Sequence, residues 1–405
     1  MIKAHQIQLT PTYKQRELLV KSCGVARFSY NWALEVWKKQ YSRGKKPSAY
    51  SLIKLQNSFK KKVFPWMTEV SKTAPQHAIH NLESAFKKMW KEGTGYPKFK
   101  KKGVKDNFVA VENKEQFKQQ NKKIWIPRIG WLKCTENLRF EGKVNNVVVK
   151  RIADKWFAVV NIELAENKPD EVPMASENQA VVGIDLGIKT MLTLSDGVYF
   201  ENPKALKSNL KSLKRHQRGL SRKEKGSKNS KKQQMLVAKK HYIVSCIRKN
   251  SIHQATTAIV EKYDIIVIED LNVKGMVKNH KLAQSLNDVS FGEIKRQLKY
   301  KCDWYGKNLI IADRFYASSK ICSNCGHKKE SLKLSERVYV CSECNLELDR
   351  DLNAAKNLAS LGSTPSDGGS QVCGEVTNIL RNQNSESKKQ KINNLFHISK
   401  QNKSC

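Results

Sequence analysis

Val181-Val-Gly-Ile-Asp-Leu-Gly187 is an apolar run that ends on an acid and a glycine. Such a run reads as a buried strand, with Asp185 at its end just before a turn. The device recurs downstream in Ile265-Ile-Val-Ile-Glu-Asp270, where Glu269 closes the run. Polar groups at the ends of buried strands are where an α/β scaffold usually places its chemistry. A third acid, Asp351, lies in Leu348-Asp-Arg-Asp-Leu-Asn-Ala-Ala355, at the first turn of a predicted helix. Asp is also a favoured helix-start residue, so that position alone says little.

The elements around these acids carry more weight together. A hairpin is predicted over Thr190 to Phe200 with Asp196-Gly197 as its turn. A long basic helical stretch follows, then a strand over Asp264 to Glu269 and a helix from Ser290 to about Tyr305. A strand at Asn308 to Ala312 and a last helix from Arg350 to Leu361 complete the order. Strand, hairpin, helices, strand and terminal helix match an RNase H-like scaffold, on which three carboxylates converge to hold two divalent metals. Phosphodiester cleavage gains from such a pair, ~3.5–4 Å apart, which activates water and stabilises the leaving oxygen. Carboxylates are hard oxygen ligands suited to Mg²⁺ or Mn²⁺.

Four of the ten cysteines are paired in sequence: Cys322-Ser-Asn-Cys325 and Cys341-Ser-Glu-Cys344, fifteen residues apart. Each pair lets one tight turn present two thiolates, and two such turns complete a tetrahedral sulfur shell for zinc. Gly326 suits the positive φ that such a turn requires. A shell of four protein ligands is closed, so this zinc is expected to be structural. Cys23, Cys134, Cys246, Cys302, Cys373 and Cys405 are scattered and read as ordinary thiols.

Towards the N-terminus, Ile2 to Leu9 reads as an opening strand, and Lys14 to Tyr41 as a helix rich in aromatics. A second helix shows Ala78, Ile79, Leu82, Ala85, Phe86, Met89 and Trp90 on one face. These aromatics read as core rather than base-stacking platforms. After Gly93 and Gly95, β-like stretches at Lys123 to Pro127, Val144 to Ile152 and Lys155 to Leu164 suggest a small β-barrel with the opening strand. Glu166 to Asn178 reads as a linker and the residues beyond about Leu361 as a disordered tail.

Lys and Arg total 75 against 37 Asp and Glu, a formal charge of +38 over 405 residues. That surplus points to a polyanion, and nucleic acid is the usual one. Between Lys204 and Lys249 there are sixteen Lys and Arg and one acid, Glu224, so an external anion is expected there. The 39% hydrophobic content excludes a mostly disordered chain. The longest apolar run, Trp156 to Val160, has five residues, well short of the ~18 of a membrane span. With no hydrophobic signal core in the first 30 residues, a cytoplasmic, nucleoid-associated protein is expected.

Gly183-Ile-Asp-Leu-Gly-Ile-Lys189, Ile268-Glu-Asp-Leu271, Ser318-Ser-Lys-Ile-Cys-Ser-Asn-Cys-Gly326 and Asp349-Arg-Asp-Leu-Asn-Ala-Ala-Lys-Asn357 together resemble TnpB, the accessory protein family of bacterial insertion sequences. Tyr96-Pro-Lys-Phe-Lys-Lys-Lys102 resembles that family's aromatic-Pro-x-Phe-basic segment. The likeness runs from near residue 2 to about residue 361. It implies an RNA-guided DNA endonuclease related to the ancestors of type V CRISPR effectors, with a split RuvC nuclease. By motif position Asp185, Glu269 and Asp351 are its catalytic, magnesium-holding acids, with Asp349 and Asp270 left out. Cys322, Cys325, Cys341 and Cys344 are its zinc ligands.

The implied fold is multidomain α+β, with a helical recognition module (13–103) inserted in an N-terminal wedge-like β-barrel (1–12 and 104–165). A linker (166–178) leads to an RNase H-like RuvC domain (179–320 and 346–361) that carries the zinc ribbon (321–345), and a tail follows (362–405). The implied partners are a guide RNA from the transposon end and double-stranded target DNA beside a short adjacent motif, with the protein a monomer. Tyr50, Lys72 and Gln76 are candidates for reading that motif, since Gln can pair with adenine edges. Lys100, Lys101, Lys102, Lys214, Arg215, Arg218 and Arg222 are candidates for phosphate contacts.

Two rivals are open. A nuclease-inactive RNA-guided repressor would be expected to lack one of the acids, and all three are present. A DNA-strand-transferring transposase shares the scaffold, but no Tyr nucleophile motif is found.

Overall fold

The computed structural model describes residues 1–111, 117–164, 179–333 and 335–363. The expected linker (166–178) and the expected tail beyond Ser363 lie outside the described residues. The chain divides into two compact units. The first comprises the described residues of Met1–Val172, Pro203–Gln254 and Asn287–Ser290; the second comprises those of Pro173–Asn202, Ala255–Leu286 and Phe291–Cys405.

The first unit opens with β1 (Ile2–Leu9) and the long helix α1 (Tyr13–Ser42). Thr12 and Gln15 start α1 with a capping box, each side chain accepting from the other's backbone N–H. Helix α2 (Ala49–Val63) has the same device at Ser48 and Ser51. A 3₁₀ turn (Pro65–Glu69) then leads to α3 (Thr73–Glu92), which stops at Gly93 with φ 65°. Sequence reasoning did not register α2. Its buried stripe is only Ala49, Leu52 and Gln56, too narrow for an apolar periodicity. The aromatic pattern of α1 is largely core: Trp37 is 2% exposed and stacks on Phe86 at 4.7 Å between centroids.

The strands β2 (Asn107–Val111), β3 (Lys118–Gln120), β4 (Lys123–Ile126), β5 (Gly130–Lys133), β6 (Lys143–Ile152) and β7 (Lys155–Glu163) follow. They form an antiparallel sheet in the order β1-β7-β6-β2 and a three-stranded meander β3-β4-β5. A bridge between Leu9 and Cys134 joins the two. Where sequence reasoning expected a barrel, the backbone pairings among the described residues give two linked sheets. The barrel-like cue, alternating strands, carries no information on closure.

The second unit is built on β8 (Val181–Leu186), β9 (Thr190–Leu194) and β10 (Tyr199–Glu201). Helices α4 (Ala205–Ser221), which belongs to the first unit, and α5 (Lys228–Lys262), which contributes to both, come next. After β11 (Ile265–Ile268) come α6 (Val273–Met276), α7 (His280–Val289), α8 (Phe291–Tyr305) and β12 (Asn308–Ile311). The chain then enters β13 (Val338–Val340) and β14 (Glu347–Asp349), and ends its described part in α9 (Arg350–Ser363). The main sheet has the order β10-β9-β8-β11-β12, antiparallel on the β9–β10 side and parallel through β8, β11 and β12.

Helix α9 lies directly on this sheet. A Cβ built at Gly183 would fall 2.0 Å from the Ala355 carbonyl oxygen, and one at Gly362 2.8 Å from a Val181 methyl. Glycine at these two positions is what lets helix and strand touch. Val181, Ile265, Val267, Leu358 and Leu361 fill the layer between them.

The basic stretch folds as α4 and α5. At least two of its cations find acids that a count within the stretch cannot include: Lys239 pairs with Asp154 at 2.7 Å and Arg248 with Asp288 at 3.0 Å. Asp288 also accepts the backbone N–H groups of Leu206 and Lys207, completing the start of α4.

Candidate functional site

The strand register brings the acids to one place. Ile268 of β11 pairs in parallel with Ile184 of β8, so Glu269 and Asp185 are the next residues on adjacent strands. Side chains alternate along a strand. Gly183 and Val267 face α9, so Asp185 and Glu269, two residues on, share that face. Asp351 is one turn before Ala355, the residue against Gly183. A Cβ at Gly187 would lie 4.0 Å from Asp351 Oδ2. The three acids therefore share one corner, where two strand ends meet the start of a helix.

Their electrostatics agree. The Asp185 carboxyl is held well above its usual range by burial first, then by Glu269 and Asp351. Glu269 is raised by burial, offset by a hydrogen bond from Ser318 Oγ at 2.6 Å, and raised again by Asp351. Like charges repel at short range, and a divalent cation between them would remove the conflict. Three carboxylates supply the hard oxygen donors that Mg²⁺ or Mn²⁺ takes, so the residues fit such an ion. The acids are not drawn as close as the cysteines: among the described residues, the four sulfurs are the one set at metal-holding spacing.

The neighbouring acids are otherwise engaged. Asp349 Oδ1 accepts the N–H groups of Asp351 and Leu352, at 2.9 and 3.1 Å, and so starts α9. The helix-start role considered for Asp351 thus belongs to Asp349. Asp270 pairs with Lys295 at 2.7 Å and with Arg314 at 2.5 Å, which lower its pKa.

A pH prediction follows from the raised pKa values. Between the ordinary carboxylate range and the raised values, Asp185 and Glu269 bind more protons in the folded protein than in the unfolded chain, so their contribution to stability is lost as pH rises. Stability without divalent metal is therefore expected to fall as pH rises through the raised pKa values. Asp185→Asn is expected to flatten that slope, and Mg²⁺ to reverse it. Thermal melts across pH, with and without Mg²⁺, check this; an unchanged slope in the variant contradicts it.

The cysteine cluster is the second constellation. Cys322 and Cys344 sulfurs are 3.5 Å apart, as are those of Cys325 and Cys341, and all four lie within 4.8 Å of one another. A tetrahedron with Zn–S of about 2.3 Å has edges of about 3.8 Å, so the residues fit zinc. The knuckles repeat one design. Cys322 N–H donates to His327 and Cys341 N–H to Leu346, and each turn carries a positive φ, 78° at Gly326 and 54° at Asn345. Cys344 is pulled down to about 6 by the Asn324 side chain first, then by the Leu346 backbone, while its neighbour Cys325 is pushed up to about 12, as befits thiols that share one small site. Tyr339, a residue of β13 that is 0% exposed and pairs with Leu348 of β14, packs with Cys322 and Cys341.

The remaining candidates are placed as follows. Tyr50, in the first turn of α2, is 77% exposed. Lys72 caps the start of α3 and is exposed, and Gln76, in its first turns, is half-buried. Lys100 is half-buried, its ammonium 4.0 Å over the Tyr30 ring, and its backbone is held at both ends by Asn31. Lys101 and Lys102 are exposed, as are Lys214, Arg215, Arg218 and Arg222 along α4. No helix among the described residues is long and apolar enough to cross a membrane.

Sequence reasoning missed the polar frame of the site. Ser318 reaches Glu269, while Asn353 and Asn357 of α9 bind the carbonyl of Ile321, next to Cys322. An i, i+4 pair of Asn among the small and apolar residues of one helix face was the available signal for the asparagines. Ser318 opens the motif that runs to Gly326, but nothing in sequence pointed to its partner, which is 49 residues away.

Comparison with known proteins gives the wider context. The family described as "Probable transposase", OrfB of IS605, matches residues 161–280. "Cas12f1-like, TNB domain" matches 291–358 and "Helix-turn-helix domain" matches 1–46, which here hold β1 and one long helix. The solved chain in the "Cas12f1-sgRNA-target DNA complex" shares the fold with a TM-score of 0.54 at 14% identity, over 89% of this chain and 98% of that one. A protein of Escherichia coli K12 named "Putative RNA-guided DNA endonuclease InsQ" is 30% identical over 93% of this chain and 94% of its own length. A "Putative RNA-guided DNA endonuclease" of Streptomyces pristinaespiralis is 31% identical over 92% of this chain and 91% of its own. With likeness of that extent along nearly the whole sequence, the chain belongs to the TnpB family, the OrfB proteins of IS605-type insertion sequences.

Proposed function

We propose that this protein is an RNA-guided DNA endonuclease of a transposable element, cutting double-stranded target DNA beside a short adjacent motif. The observation that carries the reading is the corner shared by Asp185, Glu269 and Asp351, where burial first and then the two neighbouring carboxylates raise Asp185, a conflict that a cation would relieve. Those three acids would hold Mg²⁺ or Mn²⁺. Bound there, a pair of ions supplies water activation and charge neutralisation at the leaving oxygen.

The chain's own residues do the rest. Lys295 and Arg314 keep Asp270 occupied, so it does not compete for the ions. Asp349 holds the first turn of α9 and with it the backbone that carries Asp351. The cysteine cluster binds structural zinc. The exposed basic residues of α4 take RNA or heteroduplex phosphates, and Lys101 and Lys102 add to that surface. Tyr50, Lys72 and Gln76 read the adjacent motif from the helical part of the N-terminal half, with the strands β1 to β7 forming a wedge that grips the guide. The protein works as a monomer.

The test begins with the nucleic acid that co-purifies with the protein. Sequencing is expected to return a discrete RNA. The complex is expected to cut a duplex matched to that RNA in Mg²⁺ and to leave a scrambled duplex intact. Absence of a discrete RNA removes the guided reading; binding of the matched duplex without cuts favours a repressor.

A further inference from the structure

We propose that Ser318 is a positioning residue for Glu269, and that the first zinc knuckle sets Ser318 through Asn353 and Asn357. The inference rests on the reading of Glu269 as a metal-holding acid.

Ser318 is 4% exposed, and its hydroxyl donates to Glu269 Oε1 at 2.6 Å. An ionised carboxylate only accepts, so the hydroxyl proton is committed to that oxygen. With one oxygen pinned, the plane of the carboxylate and the lone pairs of the other oxygen are fixed. Partners of this kind orient metal-holding carboxylates.

Ser318 is itself held. Its N–H donates to the Tyr316 carbonyl at 2.9 Å, and its own carbonyl accepts from Asn357 Nδ2 at 2.7 Å. The same amide reaches the Ile321 carbonyl at 2.6 Å, which also accepts from Asn353 Nδ2 at 2.7 Å. Asn353 Oδ1 accepts the N–H of Ser323 at 2.9 Å. Ile321 and Ser323 flank Cys322. The backbone on both sides of the first zinc ligand and the hydroxyl on Glu269 thus depend on two asparagines, 0% and 5% exposed. Both asparagines ride on α9, which also carries Asp351. A displaced knuckle would pull Asn357 off Ser318 and release Glu269.

The experiment uses the full protein with its co-purified nucleic acid and Mn²⁺ as the probe. Free Mn²⁺ is read by electron paramagnetic resonance, alongside kcat and KM for a matched duplex. Ser318→Ala is expected to weaken Mn²⁺ binding and lower kcat by about 10-fold or more, with KM for the duplex unchanged. Ser318→Cys keeps the volume with a weak donor and is expected to do the same, so the outcome does not hang on one variant folding. Ser318→Thr is expected to restore both quantities, and Ser319→Ala to change neither. Wild-type Mn²⁺ binding and kcat in Ser318→Ala and Ser318→Cys overturn the proposal, as does a loss that Ser318→Thr fails to restore. Asp185→Ala separates the two levels. If it loses Mn²⁺ and cutting while the Ser318 variants keep both, positioning fails and the acidic site stands; if it keeps both, the acidic site itself is wrong.

Discussion

Asp185→Ala is expected to reduce cleavage of a matched duplex by ~10³-fold or more, which corresponds to ~4 kcal/mol of lost transition-state stabilisation. Binding of the duplex is expected to change little, because the basic residues proposed to meet phosphates do not include this side chain. The expectation follows from position. Burial first, and then Glu269 and Asp351, hold the Asp185 carboxyl well above its usual range. On the proposed reading its loss removes one metal ligand and part of the negative charge that would attract the ions. Single-turnover cleavage and a salt-dependent binding titration, run side by side, check it. A variant that cuts at the normal rate shows that the chemistry lies elsewhere. Loss of binding together with cutting shows that Asp185 supports the fold and not the reaction.

Cys344→Ser is expected to take the protein from one bound zinc to none and to melt the ribbon locally. In isolated zinc fingers the metal contributes ~10–16 kcal/mol of apparent binding free energy, which there is folding free energy. Here the two knuckles share little apolar core beyond Tyr339 and Leu346. Fast amide exchange is therefore expected over residues 321–349, while the main sheet keeps its protection. Because the ligands must be thiolates, protons compete with zinc, and acid is expected to release the metal from the intact cluster. Metal content by mass spectrometry and exchange by residue check both statements. Full protection of the ribbon without metal contradicts them.

The parts legible in sequence are those in which a single local rule decides. Asp185 and Glu269 end apolar runs, and the strands appear where those runs predict, at Val181–Leu186 and Ile265–Ile268. The doubled C-x₂-C spacing marks one sulfur cluster, and Gly326 has the positive φ expected of it. Asn345, its counterpart in the second knuckle, carried no glycine signal although it adopts the same hand.

What sequence did not carry was relational. Whether strands close a barrel depends on pairings between distant segments, as with Leu9 and Cys134. The basic stretch finds Asp154 and Asp288, acids that lie outside it. Lys100 belongs to a Lys-Lys-Lys run, yet its ammonium rests on Tyr30 while its two neighbours are exposed. Ser318 meets Glu269 only because β11 and the turn before the ribbon come together. Such contacts are made by the fold, and no window of sequence contains both partners.

Diffraction from the protein bound to its RNA and a matched duplex, recorded at the manganese edge, would be decisive. The expected map has Mn²⁺ signal in contact with oxygens of Asp185, Glu269 and Asp351 together. Manganese signal confined to other sites, with these three carboxylates turned away from one another in the bound complex, would contradict a nuclease centre at this corner of the fold.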